Sequence, residues 1–194
     1  MVSDQQSVYE DLSNKEAEVA KSWITYWQQF SNFSTWQFWF NLAFLLIPLI
    51  VLWFCMDRKK AFQIGFYGFN IHVLATYIDI YGERNHYWGF PFKIIPYLPT
   101  SVSLDASMAP VSFMLLYQWT INHKKNYYLA SLALSAIFAF VIKPILSSIN
   151  LFHLYNGMNY FYLFLLYYFA SVIAKLVTDL FNHFQTESKK KITK

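Results

Sequence analysis

Charge is scarce in this chain, and cysteine scarcer still. Only 13% of the 194 residues are charged, about half the share of a soluble domain, which argues against a water-soluble globular fold. The single cysteine, Cys55, excludes an intramolecular disulfide and a cysteine-rich metal site. At the end of an apolar stretch it reads as inert packing, with palmitoylation the functional alternative. Short enzyme motifs are absent too: there is no H-E-x-x-H, no G-x-S-x-G, no P-loop and no dinucleotide fingerprint. His72, His86, His123, His153 and His183 never fall at metal-ligand spacing, so neither a zinc site nor any cofactor is expected. Residues 1–35 are polar and acidic and lack the basic-then-apolar order of a signal peptide. Membrane targeting is therefore expected to fall to the first spanning helix.

Apolar and aromatic residues are what the chain does contain. Hydrophobic residues make up 56% and aromatics 22%, and aromatics favour bilayer interfaces. A bilayer core of about 30 Å needs roughly 20 helical residues. Five segments have that length: 36–56, 61–81, 100–121, 127–149 and 158–181. The second and fourth carry internal polar residues. The expected fold is all-α: five transmembrane helices (36–181), preceded by a tail (1–35) with an interfacial amphipathic helix and followed by a basic tail (182–194).

Orientation follows from Lys and Arg. Arg58, Lys59, Lys60, Lys124, Lys125, Lys189, Lys190, Lys191 and Lys194 fall on one side of a five-span chain, and Lys15, Lys21, Arg84 and Lys93 on the other. This predicts a cell-membrane protein with its N-terminus outside and its C-terminus in the cytoplasm. The net charge of +4 and the pI near 9 then report topology, and no nucleic-acid partner is expected. The terminal lysine run reads most simply as an anchor of that topology, with contact to anionic lipid, at about 1 kcal/mol per charge, as the alternative. Lys175 and Asp179, four apart near the inner end of the last span, read as a solvated or snorkelling pair. Before the first span, Trp23, Trp27 and Phe30 follow i, i+4, i+7 spacing. That suits a helix lying in the outer interface or, equally, one packed on the outer loops.

Three ionisable residues interrupt the apolar segments. Asp79, Asp105 and Lys143 each cost about 2.5–3.5 kcal/mol near a bilayer centre on insertion scales, and such residues usually face the bundle interior and pair. Each lies on a small or polar helix face: Gly65, Gly68, His72, Ala75, Thr76 and Asp79; Ser101, Asp105, Ala109 and Ser112; Ser131, Ser135, Ala139, Lys143 and Ser147. Small residues at this spacing let helices approach closely in lipid, so the three faces are expected to meet at one depth, within about 10 Å of the outer boundary. Pro110 and Pro144 each free a backbone carbonyl nearby.

Two readings of that cluster stand side by side. In the functional one, Asp79, Asp105 and Lys143, with His72 in support, form a polar pocket for a cation, a headgroup or an anionic group. In the structural one they are a salt-bridged pin that fixes helix packing. The aromatic loop 83–99, with Arg84 and Trp88 as candidate ligand contacts and Pro91, Pro96 and Pro99 breaking any helix, either closes the pocket or rests as an aromatic belt at headgroup level. Gln118, with His72, extends the polar line partway to the cytoplasmic side.

The stretch Trp88-Gly89-Phe90-Pro91, Ile95-Pro96, Leu98-Pro99, Asp105, then Pro110-Val111 through Met114-Leu115 to Tyr117-Gln118 resembles a family of small, uncharacterised multi-pass membrane proteins of endospore-forming Gram-positive bacteria. The resemblance spans residues 88–118 and implies an integral membrane protein without an assigned activity. The acidic N-terminal tail has no counterpart in that pattern. The leading expectation is a non-enzymatic membrane protein that binds a small polar or lipid ligand, or a partner subunit or second copy of itself, through the outer-half core, with membrane lipids around it. A small transporter or channel component and an intramembrane lipid-modifying enzyme are the alternatives.

Overall fold

A computed structural model describes residues 2–192, with side-chain surroundings for 4–187. Lys194 and the side chains of Lys189, Lys190 and Lys191 lie outside the described residues. The chain is all-α apart from one short ladder. Helices α1 (Val2–Phe30), α2 (Trp36–Cys55), α3 (Ala61–Arg84), α4 (Ala109–Asn122), α5 (Tyr127–Ile137), α6 (Lys143–Ser148) and α7 (Tyr160–Ile192) follow one another. Two-residue strands β1 (Trp88–Gly89) and β2 (His153–Leu154) pair antiparallel.

Alternate connections gather at the two ends of the bundle. At one end the ladder ties the loop after α3 to the loop before α7, and the Tyr155 amide donates to the Tyr87 carbonyl at 2.8 Å. We call this the loop end. At the other, the turn end, Lys60 Nζ donates to Asn122 Oδ1 at 2.5 Å. Asn126 and Asn159 explain where α5 and α7 begin: the side-chain oxygen of each accepts two amides of the first turn, the usual capping bond.

Three helices are long and apolar enough to cross a membrane: Trp36–Cys55, Tyr127–Ser148 and Tyr160–Glu187. The expected second and third spans are helical for most of their length but are not among them. Their position explains their composition. The α3 helix touches α4 and α7, and the segment that leads into α4 touches α2, α3 and α4, so much of their surface meets protein, where polar residues are tolerated. The third expected span also starts late. Residues 100–101 lie outside the helix, and Leu104–Met108 forms a π-helical stretch before α4. The fourth, despite its serines and Lys143, qualifies.

Both π-helical stretches have a proline to answer to. Leu104–Met108 ends two residues before Pro110, and Phe138–Ile142 ends two before Pro144. A proline in a helix removes a hydrogen bond and clashes with the carbonyl four residues back. Widening to i→i+5 bonds, with the Ala109 amide on the Leu104 carbonyl and the Lys143 amide on the Phe138 carbonyl, accommodates the ring. Such bulges occur often at functional sites. Here they carry Asp105 and adjoin Lys143.

The tail forms the 29-residue helix α1, longer than the aromatic spacing implied. Its C-terminal end leans on the loop end: Trp27 Nε1 donates to the Lys93 carbonyl at 2.9 Å, and Ser31 bonds both the carbonyl and the amide of Lys93. Trp23 and Phe30 stay exposed. Lys175 and Asp179 do pair, on α7. Cys55 is free and exposed.

Candidate functional site

Three helices deliver their ionisable residues to one small cavity at the loop end. Asp79 arrives from the last turns of α3, Asp105 from the first π-helical stretch, and Lys143 from the start of α6. Trp88, Phe113 and Tyr167 complete much of the wall. The cavity measures about 30 Å³, room for one or two water molecules, since a single water needs about 10–15 Å³ by this measure.

Lys143 does not form the direct salt bridge that a packing pin would use. It is 2% exposed, and among the described residues no carboxylate lies within 4.0 Å of its ammonium. Instead Nζ sits 3.9 Å from the centroid of the Phe152 ring and 4.6 Å from that of Phe90. A desolvated ammonium over aromatic faces is worth about 2 kcal/mol. The two aspartates hold it at longer range. Asp79 accepts from Trp88 Nε1 at 3.0 Å. Asp105 is 5% exposed, and its Oδ2 is buried without a hydrogen-bond partner among the described residues. His72, one step below, bonds the Asp105 carbonyl through Nδ1 at 2.8 Å. It therefore braces the π-helical backbone, and His72 is absent from the cavity lining.

The aromatic loop closes this site. Trp88 and Phe90 are both 2% exposed and pack with Leu104, Leu146 and Phe152. They belong to the core rather than to a surface belt. Trp88 can lie there because residue 82 is glycine: a Cβ at Gly82 would meet Trp88 Cζ2 at 1.9 Å.

Two expected site residues lie elsewhere. Gln118 sits at the turn end, where Oε1 accepts from the Asp57 amide at 2.7 Å and Nε2 donates to the Cys55 carbonyl at 2.8 Å. It clamps the α2–α3 turn. Arg84 reaches Glu16 of α1 at 3.5 Å, with both side chains about two-thirds exposed or more (67% and 72%). These geometries predict different costs. Gln118→Ala should destabilise by about 1–2 kcal/mol for its two bonds, and Arg84→Ala by under about 0.5 kcal/mol, as for exposed pairs. Thermal unfolding of the two variants in detergent checks the contrast.

A buried ion pair escaped the sequence reading. Glu83 Oε1 and Lys93 Nζ meet at 2.5 Å with side chains 11% and 5% exposed, and the Lys93 ammonium also lies 4.5 Å from the Trp23 ring centroid. The available signal was a lysine isolated within Phe-Pro-Phe-Lys-Ile-Ile, where snorkelling to water is hard. Burial pushes the Glu83 carboxyl up to about 7; Lys93 pulls the other way, and Asp79 adds to the rise. A carboxyl with a higher pKa folded than unfolded holds its proton more tightly in the fold. Its contribution to stability is complete below about 4.5 and lost as pH rises through about 7. Between about pH 5 and pH 8 wild type should lose up to about 3 kcal/mol from this group. Glu83→Gln should flatten that slope, as denaturant titrations across the range would record.

A second polar network lies towards the turn end. Tyr67 and Tyr127 share a hydroxyl bond of 2.6 Å, Tyr127 donates to the Ser171 carbonyl, and Gln63 donates to the Tyr117 hydroxyl. Between this network and the charged cavity lie Phe113, Phe138 and Ala139, each no more than 1% exposed. No protein-family model matches the chain, and no curated protein or solved structure shows significant similarity to it.

Proposed function

We propose that this chain is a five-span, non-enzymatic integral membrane protein that binds a small polar solute or ion at the Asp79–Asp105–Lys143 cavity. The observation that carries this reading is the convergence of two acids and one base on one small cavity, with the Asp105 carboxyl against that of Asp79 and its Oδ2 without a hydrogen-bond donor among the described residues. Buried polar groups are almost always satisfied, and an oxygen left open beside a cavity is a place for a ligand atom or a water. The size of the cavity favours a small polar ligand over a lipid, unless Trp88 and its loop swing away. In this reading Asp79, Asp105 and Lys143 hold the ligand, Trp88 closes over it and His72 braces Asp105.

Five spans rest on length and charge. The 24 residues of α3 reach about 36 Å, enough for a bilayer core. The Lys and Arg asymmetry orients the loop end outside and the C-terminus in the cytoplasm. The likeness of residues 88–118 to small multi-pass membrane proteins supports the membrane reading and adds no chemistry. A transporter would need the polar line to continue, and Phe113, Phe138 and Ala139 interrupt it.

The test is native mass spectrometry of the full chain in lipid nanodiscs, wild type against Asp79→Asn/Asp105→Asn/Lys143→Met. The expected result is a defined extra mass on wild type that the folded triple variant lacks. Identical spectra from two folded proteins would reduce the cluster to a packing device.

A further inference from the structure

Next to the small charged cavity lies a larger one. It measures about 510 Å³ and opens between α1 and the loop end, within the range of small-molecule sites (about 300–1,000 Å³). Trp88 lines both cavities and so forms the partition between them. The outer lining is dominated by rings, those of Trp23, Tyr26, His86, Trp88, Phe90 and Tyr155, with Glu83 as its carboxylate and, among the described residues, no lysine or arginine. Aromatic faces beside a carboxylate suit a cation whose charge is spread over carbon.

The chain holds an ammonium of its own against the same two residues. Lys93 Nζ rests on Glu83 Oε1 and over the Trp23 ring, and Lys93 lines the neighbouring cavity on the other side of Glu83 and Trp23. Glu83 thus separates the two spaces with one oxygen committed to Lys93. Its other oxygen, Oε2, is buried without a hydrogen-bond partner among the described residues. A primary ammonium brings three N–H donors that need acceptors, and this ring-rich wall supplies few. An alkylated ammonium has fewer or none and needs only faces and a nearby negative charge.

We infer that this vestibule is a second binding site, and that it takes a small alkylated ammonium, either a free solute or the headgroup of a membrane lipid. It does not depend on what the small cavity binds. Glu83 supplies the carboxylate, Trp23 and Trp88 supply rings, and α1 the wall that makes the space a cavity.

The full chain in phosphatidylglycerol nanodiscs, titrated with choline by calorimetry, tests this. Choline should bind at least tenfold more tightly than its neutral isostere 3,3-dimethylbutan-1-ol, and Trp23→Leu and Glu83→Gln should each weaken choline at least tenfold. Should Glu83→Gln fail to fold, the isostere comparison on wild type still decides. The Asp79→Asn/Asp105→Asn/Lys143→Met variant should bind choline as wild type does, which separates this site from the small cavity. Repeating the titration in phosphatidylcholine nanodiscs distinguishes the sources: choline is excluded if headgroups occupy the vestibule, and binds unchanged if the ligand is a free solute. Absence of choline binding in phosphatidylglycerol, or equal affinity for choline and the neutral isostere, would overturn the inference.

Discussion

Lys143→Met alone should destabilise the protein by about 3–5 kcal/mol, the usual cost of removing one partner from a buried charge cluster, and the triple variant Asp79→Asn/Asp105→Asn/Lys143→Met should recover most of it. The expectation rests on asymmetry. Among the described residues Lys143 is the one cation lining a cavity that also holds Asp79 and Asp105, and both acids act on it electrostatically. Without it, two carboxylates share a space of about 30 Å³ with no positive charge against them. Met is well suited to the vacated position. Its sulfur can rest between Phe90 and Phe152, a contact worth about 0.3–1.5 kcal/mol per ring, so the loss measured is largely electrostatic. In the triple variant neutral amides replace both acids, and Asp79→Asn can still accept from Trp88 Nε1. Chemical denaturation in detergent would read all three proteins. A Lys143→Met protein as stable as wild type would mean that the ammonium is held by its aromatic rings alone, and the acids would need another explanation.

The sequence disclosed the helices and the charged trio, and it did so for one reason: both are local statements about hydropathy and spacing. Asp79, Asp105 and Lys143 stand out because apolar neighbours surround them in the chain, and the three residues do line one cavity. What spacing could not supply was the partner of each. The cation–π contacts of Lys143 come from Phe90, far before it in sequence, and from Phe152 in the loop that follows its own helix, the two loops being joined by a four-residue ladder. Twenty phenylalanines give no hint of which two are used. Gln118 misled for a related reason. A glutamine in an apolar helix looks like part of a polar path, but the turn at the end of α2 leaves an amide and a carbonyl to satisfy, and Gln118 meets both. The pair Glu83–Lys93 was hidden by the positive-inside count, which treats a loop lysine as a topology marker and takes no account of burial.

Gly82→Ala should be among the most damaging single-methyl changes in the chain, at about 3 kcal/mol or more. One added Cβ would fall 1.9 Å from Trp88 Cζ2 and 2.2 Å from Cε2, and ring atoms fused into an indole cannot yield as the end of a flexible chain can. Gly68 makes the contrast. Its added Cβ would meet the Sδ of Met114 at 2.2 Å, and a thioether can rotate away. Overpacking itself costs about 1–3 kcal/mol. Moving the indole also breaks the bond from Nε1 to the Asp79 carboxylate, and hydrogen bonds to charged groups contribute about 1.5–3 kcal/mol. If Trp88 is the medium of this effect, the two positions must be coupled. In a Trp88→Phe background, which removes Cζ2 and the donor together, Gly82→Ala should cost at least about 1.5 kcal/mol less than in wild type, a difference within the range measured for residues in contact. The four proteins of that cycle, unfolded thermally under one set of conditions, give the coupling directly. Strict additivity would mean that Gly82 is required for helix packing alone, and that the indole is free to leave the cavity it closes.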